Sequence, residues 1–161
     1  MSTVTEDIQR LREAGQLTKL GARMRARQQE CRLIYLSEQA LGWLKVEMKT
    51  AKSDKFVDGA ATPKDQLDTI TRRFCAGEDL DPPLPHLMRP TQDGIWRFRT
   101  ADLRIVGWFV ERGLFIVSEV ELKANCDEMR DNQLLEAARQ LRTSLNINGG
   151  RFISGVFDDC I

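Results

Sequence analysis

Residues 95–123 read Ile-Trp-Arg-Phe-Arg-Thr-Ala-Asp-Leu-Arg-Ile-Val-Gly-Trp-Phe-Val-Glu-Arg-Gly-Leu-Phe-Ile-Val-Ser-Glu-Val-Glu-Leu-Lys. Successive side chains of an extended strand point to opposite faces. This stretch alternates in that way through three segments, Ile95–Arg99, Leu103–Val110 and Leu114–Lys123. The connections Thr100-Ala101 and Val110-Glu-Arg-Gly113 are too short for anything but antiparallel neighbours. A three-strand meander is expected. Its core face would carry Trp96, Phe98, Leu103, Ile105, Phe109, Leu114, Ile116, Val120 and Leu122. The opposite face would carry Arg97, Arg99, Arg104, Val106, Trp108, Glu119, Glu121 and Lys123. A two-residue loop at Thr100-Ala101 sets Arg97 across from Arg104, and a four-residue loop at Val110–Gly113 sets Arg104 across from Glu119.

Upstream, Cys31-Arg-Leu-Ile-Tyr-Leu36 is short and rich in strand formers, and Ser37 can cap a helix with the stripe Leu41, Leu44 and Met48. Thr62-Pro63-Lys64-Asp65 is a sharper helix start: a hydroxyl cap, proline at the first position and a carboxylate near the positive helix end. Leu67, Ile70 and Phe74 make the apolar face of that helix, and Gly77 its stop. The segment Lys52–Ala61 joins the two helices, and the proline-rich run 80–90 leads to the meander. Downstream, Asn125 and Glu128 read as a capping box for a helix with the stripe Leu134, Ala138, Leu141 and Leu145, closed by Asn148-Gly149-Gly150. The tail 149–161 reads as a short strand or a loose end.

Residues 1–30 read as an uncapped polar helical extension with Ile8, Leu11, Leu17, Leu20 and Met24 at helical spacing, weakened at Gly15 and Gly21. From Arg10 to Arg32, just past this segment, the chain holds seven basic residues, Arg23, Arg25 and Arg27 among them, against two acidic ones. It is either a solvated arm or a basic face for RNA.

The whole chain of 161 residues is 42% hydrophobic and 30% charged, enough for one core-bearing domain. Lys+Arg and Asp+Glu are both 24, which argues against a wholly basic nucleic-acid coat while leaving local patches open. No apolar run approaches the 18 residues of a membrane span. Residues 1–30 show no apolar block of a secretory leader. Cys31, Cys75, Cys126 and Cys160 form no CxxC pair, and the chain has one histidine, so no metal site, cofactor or disulfide framework is expected and a cytoplasmic setting fits.

Two readings of the arginine face stand side by side. Glu119 and Glu121 can neutralise it, giving an ordinary salt-bridged exterior. Otherwise Arg97, Arg99 and Arg104, with Lys123 at the strand end, form an oxyanion site, because the guanidinium fork binds phosphate bidentately and keeps its proton. Trp108 would then stack a nucleobase or else pack under a helix. His86, in the proline loop, becomes a general base if that loop folds over the sheet.

The run 95–123 resembles the RelE/ParE toxin superfamily, in particular its phage-derived, HigB-like branch. The preceding strand and two helices match that family in order, so the resemblance covers about residues 31–145. It implies an α+β, RelE-like domain over 31–148. Its small antiparallel sheet, the meander plus an N-terminal strand, would be packed by two N-terminal helices and one C-terminal helix. It also implies a toxin of a type II toxin–antitoxin system that cleaves mRNA on the ribosome without metal and is silenced by a cognate antitoxin. Carried over, Arg97, Arg99 and Arg104 match the basic strand positions that hold the scissile phosphate, and Lys123 the lysine ending the last strand. The family commonly adds a second lysine and a Tyr or His near the C-terminal end; here the sequence continues Lys123-Ala-Asn125, with neither Tyr nor His after His86. Those departures and the neutral charge point to the alternative, a non-catalytic binder that poisons gyrase or inhibits another host protein. A third reading makes residues 1–30 an assembly element.

Overall fold

The computed structural model describes residues 2–51, 61–80 and 85–161. Most of the expected linker 52–61 and part of the proline run, 81–84, lie outside the described residues. The elements in order are α1 (Val4–Glu13), β1 (Leu17–Lys19), β2 (Leu33–Ser37), α2 (Glu38–Val46), α3 (Pro63–Cys75), β3 (His86–Leu87), β4 (Ile95–Arg99), β5 (Leu103–Glu111), β6 (Leu114–Leu122), α4 (Glu128–Leu145) and α5 (Phe157–Cys160). The class is α+β. The strands form one open sheet ordered β1-β2-β6-β5-β4-β3.

The meander stands, but the sheet is mixed, not antiparallel: β2 lies parallel to β6, with Leu33 beside Leu114 and Leu36 beside Val117. A strand reached through two helices is free to pair in either direction, and the apolar β2 suits the interior of the sheet. Both edges carry a short strand that alternation alone misses, β1 against β2 and β3 against β4.

Residues 1–30 are not one helix. Thr3 caps α1 with Glu6 completing a capping box, so this helix is capped after all. It ends at Glu13 because Gly15 turns the chain at φ +76°. Leu17 then enters the sheet, while Leu20, Ala22 and Met24, outside any helix or strand, pack against the core. Val4, Ile8, Leu11 and Leu17 are buried, and Asp7 accepts the Asn148 amide at 2.7 Å, so α1 is part of the core.

Ser37 caps α2 and Thr62 caps α3 as the sequence implies, the latter with a capping box through Asp65. For α4 the cap is Asp127, which accepts the Arg130 amide at 2.7 Å, and not Asn125, whose side chain donates to Glu121. The tail ends in α5, which buries Phe157 and Cys160 beside Trp96, Phe98 and Phe109.

Both faces of the sheet are covered. Trp96, Phe98, Leu103, Ile105, Phe109, Phe115, Val117 and Val120 pack with α2, α3 and the tail. Ile95, Val106, Trp108, Val110, Leu114 and Ile116 pack with α1 and α4. Leu114 and Ile116 therefore do not share a face with Val120 and Leu122. The cause is a bulge: Val106 pairs with Glu119 and Gly107 with Val117, leaving Ser118 over. The Ser118 carbonyl, turned out of the ladder, accepts the Ser37 hydroxyl at 2.6 Å.

Gly107 permits the bulge, because a Cβ there would lie 1.8 Å from the Ile116 carbonyl oxygen. Gly107→Ala is expected to lower stability by about 3 kcal/mol or more, read by urea denaturation; a loss under about 1 kcal/mol would contradict this role.

Candidate functional site

The bulge divides the α4-side face into two halves. Towards the β5–β6 turn it is apolar and covered by α1 and α4. Towards the β4–β5 turn it carries Arg97, Arg99, Arg104, Glu119 and Glu121, under the first turns of α4.

At this corner β3 sets His86 opposite Arg97, and β4–β5 pairing sets Arg99 opposite Arg104. The arginine opposing Arg104 is thus Arg99, not Arg97, which faces Val106. The two-residue loop is Ala101-Asp102, closed by the Thr100 amide donating to the Leu103 carbonyl at 3.1 Å. Gln66 of α3 holds it there. Its Oε1 accepts the Thr100 hydroxyl at 2.7 Å and the Asp102 amide at 2.9 Å, and its Nε2 donates to the Asp102 carboxylate at 2.6 Å. Likewise Glu111 pairs with Leu114 across the two-residue turn Arg112-Gly113, which brings Glu121, not Glu119, opposite Arg104.

Like charges directly opposed on a ladder cost a few tenths to about 1 kcal/mol. Arg104 relieves part of this by donating Nη1 to the Thr100 and Leu103 carbonyls, both at 2.8 Å. Arg99 Nη2 lies 2.6 Å from His86 Nε2. Arg97 pairs with Asp131 of α4 at 2.9 Å. The glutamates do not neutralise the strand arginines, because Arg130 of α4 takes both, Glu121 at 2.9 Å and Glu119 at 3.4 Å. Arg99 and Arg104 are left with no ion pair among the described residues.

Burial, then the fields of Arg97 and Arg99, lowers the pKa of Arg104. The His86 pKa is lowered by desolvation, then by Arg99 and Arg97. A guanidinium can only donate, so the Arg99 contact requires a neutral imidazole with its proton on Nδ1. Burial raises the Glu119 carboxyl, whereas Glu121, which burial alone would also raise, is held down by hydrogen bonds from Asn125, the Leu122 amide and Arg130.

The structure therefore brings together His86, Arg97, Arg99 and Arg104. Lys123 begins a short 3₁₀ turn beside the β4–β5 loop, its amide donating to the Asp102 carbonyl at 2.7 Å; its side chain is exposed. Trp108 is 1% exposed beneath α1 and α4, so no base can stack on it, and the packing reading holds. Arg23, Arg25 and Arg27 are exposed, but the neighbouring Ala22 and Met24 pack against the α2/α3 side of the sheet, away from the corner. Sequence reasoning missed Arg130 and Asp131, whose part depends on how α4 docks, and Gln66, whose part depends on α3 meeting a strand turn. Among the described residues no three His, Cys, Asp or Glu side chains gather as a metal set, and no helix is long and apolar enough to cross a membrane.

The fold and its site define the chain as an α+β protein with a cationic corner on a mixed sheet. Comparison with protein-family models, curated proteins and solved structures finds no match.

His86 is the chain's one histidine, so its imidazole resonances titrate alone in an NMR spectrum. Its pKa is expected below the ordinary 6.5 and should rise when Arg99→Gln removes the neighbouring charge. A wild-type value at or above 6.5 would contradict the geometry.

Proposed function

We propose that this chain is a RelE/ParE-like toxin that cleaves mRNA on the ribosome without a metal ion and is restrained by a cognate antitoxin. The observation that carries the proposal is the convergence of Arg99 and Arg104, free of ion pairs among the described residues, with neutral His86. The order of strand, two helices, three-strand meander and helix supports it as well.

In this account the scissile phosphate lies between Arg99 and Arg104. When Arg99 turns from His86 to the phosphate, His86 Nε2 is released as a general base. It takes the proton of the 2′-hydroxyl as that oxygen bonds to phosphorus, and the P–O5′ bond breaks to a 5′-oxygen protonated by solvent. The charge on the phosphorus oxygens grows during the step, and fixed guanidinium donors stabilise it there more than in the ground state. The upstream product ends in a 2′,3′-cyclic phosphate.

One observation favours the second reading, a non-catalytic binder of a host protein such as gyrase: Arg97 already has a carboxylate partner in Asp131. Expression from a tightly repressed promoter, with labelled amino-acid incorporation, separates the two. Wild type is expected to halt protein synthesis, and the folded Arg99→Ala/Arg104→Ala variant to lose at least about 100-fold of that activity. Continued synthesis with soluble wild type present would overturn the nuclease reading.

A further inference from the structure

Glu119 and Glu121 are both buried beside the arginine corner, and a single residue of α4 holds them. Arg130 donates Nε to Glu121 at 2.9 Å and Nη2 to Glu119 at 3.4 Å. We propose that Arg130 is a positioning residue of the corner, which keeps Arg104 open to a phosphate by holding the Glu121 carboxylate away from it. The proposal rests on the corner being an oxyanion site.

The sheet register makes Glu121 the competitor. It stands directly opposite Arg104 on the β5–β6 ladder, whereas Glu119 stands opposite Val106. Directly opposed residues have Cβ atoms about 4.5–5.5 Å apart, within reach of a glutamate and an arginine, and diagonal neighbours about 7–8 Å. Arg104 has no ion pair among the described residues, and its Nη1 rests on the Thr100 and Leu103 carbonyls.

The two glutamates also differ in what remains without Arg130. Glu121 Oε1 still accepts the Leu122 amide at 2.8 Å and Asn125 Nδ2 at 3.1 Å, so the side chain stays on this face and stays charged. Its Oε2 loses its partner. A buried carboxylate without a countercharge is costly, and Arg104 across the ladder can supply one. Glu119 has no arginine opposite, and burial already pushes its carboxyl towards the neutral acid. The same charges therefore have two arrangements. In one, Arg130 holds both glutamates and Arg104 is open; in the other, Glu121 closes Arg104 and the corner becomes a salt-bridged exterior.

Two double variants with the net charge of the wild type separate the roles. Arg130→Gln/Glu119→Gln leaves Glu121 without its arginine, and Arg130→Gln/Glu121→Gln leaves Glu119. Inorganic phosphate is titrated into each full chain at constant ionic strength, above the His86 pKa, and followed through the His86 imidazole resonances. Wild type is expected to bind phosphate, and the variant that keeps Glu121 to bind it at least about tenfold more weakly than the one that keeps Glu119. A general charge effect, or a role for Arg130 in docking α4 alone, gives the two the same affinity. With Arg130 in place, Glu121→Gln is expected to change the affinity less than about threefold, because that carboxylate is already engaged. Equal binding by the double variants, the reverse order, a larger gain with Glu121→Gln, or no binding by wild type would each overturn the proposal. Message cleavage together with equal binding refutes the role of Arg130 and leaves the nuclease reading standing. The expected difference in a chain that cleaves no message supports the role of Arg130 and refutes the nuclease.

Discussion

A backbone carbonyl occupies the space where residue 107 would carry a side chain, and the arrangement of the sheet follows from that contact. Glycine lets β6 close on β5 with Ser118 left out of the pairing, so the inward and outward positions of β6 exchange at that point. Before the bulge, Leu114 and Ile116 face α1 and α4; after it, the same face presents Glu119 and Glu121. The exchange gives one sheet two apolar layers and still reserves a polar corner on one of them. Ser37 completes the arrangement, since one hydroxyl caps α2 and also satisfies the carbonyl the bulge exposes.

The corner gathers more positive charge than its ion pairs neutralise. Three strand arginines and a histidine sit on adjacent strands, and α4 answers with Arg130 and Asp131. Arg130 removes the two glutamates from competition, and Asp131 neutralises only Arg97. What is left is a pair of guanidiniums held by carbonyls and an imidazole, partners that an incoming phosphate oxygen can replace. The acidic start of α4 limits where a polyanion fits, which suits a site for a single nucleotide better than a broad nucleic-acid track.

The parts legible in the sequence are those set by local chemistry. Alternation with short turns gave the meander, and Ser37 and Thr62 announced their helices. Alternation also put the three arginines on one face. Long-range geometry was not legible. The parallel pairing of β2, the two-residue edge strand that brings His86 to Arg97, and the capture of the Ala101-Asp102 turn by Gln66 all depend on contacts distant in sequence. Trp108 was open to two readings for a related reason: alternation assigned it to the arginine-bearing face, and only the docking of α1 and α4 shows that half of that face to be buried. The α1 stripe looked like an arm because its partners, Tyr35 and Ile147 among them, lie far along the chain.

The proposed cleavage leaves its signature on the product. An actively translated message would be exposed to the purified chain and the new RNA ends identified. Attack by the 2′-hydroxyl is expected to give breaks with a 2′,3′-cyclic or 3′-phosphate upstream and a 5′-hydroxyl downstream, absent with Arg99→Ala/Arg104→Ala. An intact message, or breaks that leave a 5′-phosphate, would contradict it.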